Sequence, residues 1–66
     1  MDIKRMGARL TALRGNIPVR QVANACRVTI SSMLRYEAGE KIPNDEVKQS
    51  LAGFYGVAVE DIFNVD

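Results

Sequence analysis

The chain reads as an all-α bundle of five helices, and three observations predict it. Apolar residues recur three and four positions apart in several windows, the spacing that gathers side chains on one helix face. Most of the two Pro and five Gly fall between those windows, where turns need them. No stretch alternates apolar with polar residues in the two-residue rhythm of a strand. Sixty-six residues make one domain, spanning 1–66, and a hydrophobic content of 47% is enough for a modest core and excludes wholesale disorder.

Each helix carries its own start and stop signals. Asp2 is placed to cap the first, which ends near Leu13 or Arg14; Ile3, Met6, Leu10 and Leu13 form its apolar face. Gly7 weakens this helix slightly, and Gly15-Asn16 ends it, with Asn16 able to take a left-handed conformation. Pro18 suits the first turn of a second helix running to Ala25 or Cys26. Thr29 caps a third, its hydroxyl accepting from the N–H near Ser32, and Gly39 closes it. After the loop Glu40–Pro43, Asn44 caps a fourth helix, with Asp45 and Glu46 in the first turn complementing its dipole. That helix places Val47, Leu51, Phe54 and Tyr55 on one face and stops at Gly56. A short fifth helix spans Val59 to Phe63.

Residues 19–36 are the most informative segment. They read as two short helices joined by a tight turn. Val22, Cys26, Val28, Met33 and Tyr36 supply the apolar positions, and the small Ala23 sits where the helices cross closely. The second of these helices turns Met33 and Tyr36 toward the body and presents Ser31, Arg35 and Ala38 outward, with Ser32 and Leu34 on the flanks and Ile30 at the exposed N-terminal end. A helix held in this way can enter a DNA major groove. Arg35 has the planar fork that binds O6 and N7 of guanine together. Ser31 and Ser32 can donate to or accept from a base or a phosphate, and Ile30 can pack on a thymine methyl.

Charge and composition narrow the partner. The net charge is only +1, but it is polarised: residues 1–41 hold eight basic and three acidic residues, a net of +5, whereas residues 42–66 hold one basic and five acidic, a net of −4. A positive front attracts phosphate while a negative rear points away. One cysteine and no histidine exclude an intrachain disulfide and the usual Cys/His zinc site. The single Cys26 falls on an apolar face and reads as a buried, inert thiol. Ser31 and Ser32 lack a base to activate them, so no enzyme, cofactor or small-molecule substrate is expected. Nothing resembles a signal peptide, and the longest apolar run is far too short to span a bilayer, so the default location is cytoplasmic.

These residues resemble the Cro/phage-repressor (XRE-type) helix-turn-helix family. The likeness lies in Val22-Ala23, Cys26, Val28-Thr29 and Met33, and above all in Arg35-Tyr36-Glu37-Ala38-Gly39, where the family usually has Arg-Tyr-Glu-Asn-Gly. It extends through Leu51-Ala52, Gly56-Val57 and Glu60-Asp61-Ile62-Phe63, nearly the whole chain. The resemblance implies a compact lambda-repressor-like bundle whose helices 2 and 3 form the helix-turn-helix. It implies a sequence-specific double-stranded DNA-binding transcriptional regulator, a homodimer on a palindromic operator with two recognition helices roughly 34–36 Å apart. Base reading falls to Ile30, Ser31, Ser32 and Arg35. Backbone contacts fall to Val19, Arg20, Thr29, Lys41 and Asn44. The family's ion pair would here join Arg14 to Glu37.

The chain also departs from the pattern. Val19 replaces a common Gln, Pro18 a capping Ser, and Glu40 puts a negative charge where phosphate should lie. Arg27 stands where the turn usually has Gly; if that position needs positive φ, Arg costs on the order of 1 kcal/mol. Low net charge, Val19 and Glu40 leave a second reading open: a protein-interaction module that keeps the fold without reading DNA. The C-terminal apolar residues Val57, Val59, Ile62, Phe63 and Val65 are candidates either for a partner surface or for closing the core.

Overall fold

Five helices follow one another as expected: α1 (Ile3–Arg14), α2 (Val19–Ala25), α3 (Ile30–Glu37), α4 (Asp45–Tyr55) and α5 (Val59–Phe63). The structure, a computed structural model, describes residues 1–63, so Val65 lies outside the described residues. Every helix but α2 begins with a side chain that accepts from a backbone N–H at its N-terminus. Asp2 accepts from the N–H groups of Lys4 and Arg5, Thr29 Oγ1 from Ser32 at 3.0 Å, and Asn44 Oδ1 from Val47 at 3.0 Å. At α5 the carboxylate of Asp61 reaches back to the N–H of Ala58 at 3.1 Å, half of a capping box. Pro18 stands one residue ahead of α2 rather than inside its first turn; its carbonyl accepts from Gln21 at 3.0 Å. The positive-φ reversal after α1 falls on Gly15 (φ 52, ψ −119) and not on Asn16, because a residue without Cβ adopts it at no steric cost.

One apolar cluster draws on all five helices. Met6 and Leu10 come from α1, Val22 and Ala23 from α2 with Cys26 just after it, Met33 and Tyr36 from α3, Leu51 and Ala52 from α4, and Ile62 and Phe63 from α5. Six of the larger side chains (Met6, Leu10, Val22, Met33, Leu51 and Ile62) are fully buried, and each contributes roughly 1.5–3 kcal/mol by leaving water. No polar or charged residue is buried among the described ones. Ile62 and Phe63 are therefore core, not partner surface, and Val57 and Val59 are half-buried against the same cluster. The reason is geometric: α5 folds back on both α4 and α1, so its apolar side has no outlet to solvent.

Gly7 does more than weaken α1. It is buried where α1 crosses the end of α3; a Cβ there would collide with the carbonyl oxygen of Glu37 and lie 2.8 Å from the amide nitrogen of Gly39. Backbone atoms cannot move aside, so only glycine lets the two helices meet this closely.

Candidate nucleic-acid interface

The turn between α2 and α3 is set by a Schellman closure. The N–H of Val28 donates to the carbonyl of Ala23 at 3.0 Å, and that of Arg27 to Asn24 at 3.3 Å, which requires a left-handed residue between them. That residue is Arg27, at φ 57, as the sequence comparison with the family's glycine suggested. Its side chain is exposed. The next closure, after α3, has the same pattern: Glu40 N–H to Arg35 at 3.0 Å and Gly39 N–H to Tyr36 at 3.1 Å, with Gly39 at φ 70.

Between these turns α3 is held from behind. Met33 and Tyr36 are buried. The guanidinium of Arg14, the last residue of α1, grips Glu37, the last residue of α3, in a fork: Nε donates to Oε2 at 2.7 Å and Nη2 to Oε1 at 3.0 Å. Its Nη1 also donates to the carbonyl of Ile17, so one side chain ties α1, the loop before α2 and α3 together. Donating to the Glu37 carboxylate raises the Arg14 pKa, partly offset by burial. Lys4 Nζ donates to the carbonyl of Ala38 at 3.0 Å, supplying a cation at the helix C-terminus where the dipole favours one. Glu37 thus ties the end of α3 to the end of α1.

Burial pushes the Cys26 thiol pKa up, which favours its neutral form. Burial, reinforced by the Glu37 charge, pushes the Tyr55 phenol up to about 12. The Tyr55 hydroxyl has no hydrogen-bond partner among the described residues.

The candidate residues can now be placed. Ser31 and Arg35 are exposed on α3, the condition on which a reading helix depends; Ser32 is half-buried on its flank. Ile30 differs from expectation. It is half-buried and packs against the core, because the first turn of α3 leans on the cluster rather than projecting from it. Leu34, assigned to a flank, is 48% exposed. Among the residues expected at the phosphates, Arg20, Thr29, Lys41 and Asn44 are exposed, while Val19 is half-buried against the core. Lys41 lies with Nζ 5.8 Å from the centre of the Tyr36 ring, which draws the loop charge to the back of α3. The Asn44 oxygen is occupied in capping α4, so its NH₂ is the group able to donate to a phosphate. An open groove of about 670 Å³ separates the turn at Cys26 and Arg27 from the start of α4 at Asn44 and Glu46; none of the α3 residues lines it.

Two short helices joined by a left-handed turn, the second with a polar outward face and an apolar back, define a protein of the helix-turn-helix class, the architecture by which many proteins bind DNA. Comparison with known families agrees: the model of the helix-turn-helix domain matches residues 5–62, and the chain belongs to that family. No curated protein and no solved structure matches it. Among the described residues no helix is long and apolar enough to cross a membrane.

Proposed function

We propose that this protein is a sequence-specific double-stranded DNA-binding transcriptional regulator of the Cro/repressor type, with α3 in the major groove. The observation that carries the reading is the outward pair Ser31 and Arg35 on a helix whose other side is fastened by Met33, Tyr36 and the Arg14–Glu37 fork. Arg35 reads a guanine through its two parallel donors, and Ser31 and Ser32 contact the neighbouring base edges or phosphates. Ile30 contributes through whatever part of its side chain the core leaves open. Arg20, Thr29, Lys41 and Asn44 fix the register on the phosphates, and Val19 contributes only its backbone N–H. A homodimer on a palindrome would set two such helices about one DNA turn apart.

Selection of bound sequences from a random duplex library, using the full chain, tests this. A palindromic consensus supports both base reading and dimerisation. Affinity should fall with salt by a log–log slope of about −0.9 per phosphate neutralised. Arg35→Ala should weaken the preferred site by about 1–3 kcal/mol and relax one base position. Equal binding of mutant and wild type across the library removes Arg35 as a reader. The competing reading, an interaction module that keeps the fold, draws on the net charge of +1, the exposed Glu40 and the half-buried Val19. It predicts no consensus and no salt-steep DNA binding.

A further inference from the structure

Leu34 is a large apolar side chain that the core does not use. Among the described residues the large hydrophobics left exposed are Met1, Leu34 and Ile42. Met1 precedes α1 and Ile42 lies in the loop after α3; Leu34 is the one carried by a helix. A single exposed leucine needs no explanation in itself. Its position supplies one. It stands three residues after Ser31, one before Arg35 and four before Ala38, all of them exposed, so helical spacing puts it on the outward stripe. The apolar residue expected to face the groove, Ile30, instead packs against the core.

We propose that Leu34 is a specificity-determining residue that packs on the 5-methyl group of a thymine in the major groove. The inference rests on the DNA-reading function proposed above. Thymine alone among the four bases presents an apolar group there. Three residues of helix advance about 4.5 Å along the axis, and one base step advances about 3.4 Å, so Leu34 meets the base pair beyond the one at Ser31. Arg35 follows by a single residue, about 1.5 Å further, so the thymine neighbours the base that Arg35 reads. Burying one methyl against leucine corresponds to about a fourfold change in affinity.

The test uses the full chain and the preferred duplex recovered from a random library, with each thymine replaced singly by deoxyuridine, which deletes only the methyl group. Wild type should lose about fourfold at one thymine next to the Arg35 position. Leu34→Ala should bind the unmodified duplex about fourfold more weakly and no longer distinguish thymine from uracil at that position, with its responses at other thymines unchanged. A thermal melt of Leu34→Ala checks that the fold is intact, as an exposed position predicts. If a consensus is recovered but Leu34→Ala keeps the full thymine preference, or no thymine shows one, the contact is overturned and DNA reading stands. If no consensus is recovered, both fall. If Leu34→Ala instead shifts the oligomeric state measured by sedimentation while the thymine responses stay unchanged, the leucine serves a protein contact and the inference is overturned.

Discussion

The chain makes the same left-handed turn after α2 and after α3, once with Arg27 and once with Gly39. The hydrogen bonds are alike and the φ values are 57 and 70. What differs is the surroundings. Arg27 is exposed, and its side chain leaves the turn unobstructed. Gly39 is buried against α1; a Cβ there would stand 2.8 Å from Lys4 Cδ, 3.0 Å from the carbonyl oxygen of Ile3 and 3.1 Å from Lys4 Cα. Positive φ alone is a modest cost that an arginine can bear, of roughly 1–2 kcal/mol. Positive φ combined with a crowding backbone leaves room for glycine alone. The contrast separates two ends of α3: its tail is locked to α1, while its head is held by a cap and an open turn.

The largest effect should come from adding a methyl at the locked end. Gly39→Ala meets both the left-handed cost and the α1 backbone, and should destabilise by about 3–4 kcal/mol in a urea melt. For 66 residues, whose total stability is on the order of 3–10 kcal/mol, that approaches unfolding. Next comes the electrostatic part of the lock. Arg14→Met leaves Glu37, whose side chain is only 7% exposed, without its fork and should cost about 3 kcal/mol; adding Glu37→Leu should restore much of that by removing the orphaned charge. If Arg14→Met costs under 0.5 kcal/mol, the tail is held by packing and the Lys4–Ala38 hydrogen bond without the fork.

Changes at the head should be smaller. Thr29→Ala removes the side-chain cap on Ser32 and should cost about 1 kcal/mol by the same melt. Arg27→Gly should move in the opposite direction, a gain of about 0.5–1 kcal/mol, because relief of the left-handed strain outweighs the extra freedom of the unfolded chain. A loss on Arg27→Gly would mean that the arginine side chain holds the turn, and the contrast between the two ends would need redrawing.

Much of this was readable before any coordinates. The caps at Asp2, Thr29 and Asn44 were legible because each depends on a side chain and an N–H two or three residues away. The outward placement of Ser31 and Arg35 followed from helical spacing relative to Met33 and Tyr36. The Arg14–Glu37 pair was readable only through family resemblance, since 23 residues separate the two. Ile30 packs inward where helical spacing alone places it at the exposed end, while Leu34, on the flank, is left open to solvent. On a helical wheel both lie off the apolar centre, and the wheel does not say how far neighbouring helices overlap its edges.

Local chemistry by itself therefore determined the five helices, most of their caps and the sense in which α3 faces outward, while the left-handed Arg27 was legible only through the family resemblance. The helices, caps and facing depend on groups within about one helical turn of each other. Tertiary structure decided that Gly7 and Gly39 are contact points and not flexible joints. It also made Ile62 and Phe63 core rather than interface, and left Leu34 outside while Ile30 packs inward. These depend on which surfaces meet, and that is settled only when distant segments compete for the same buried volume.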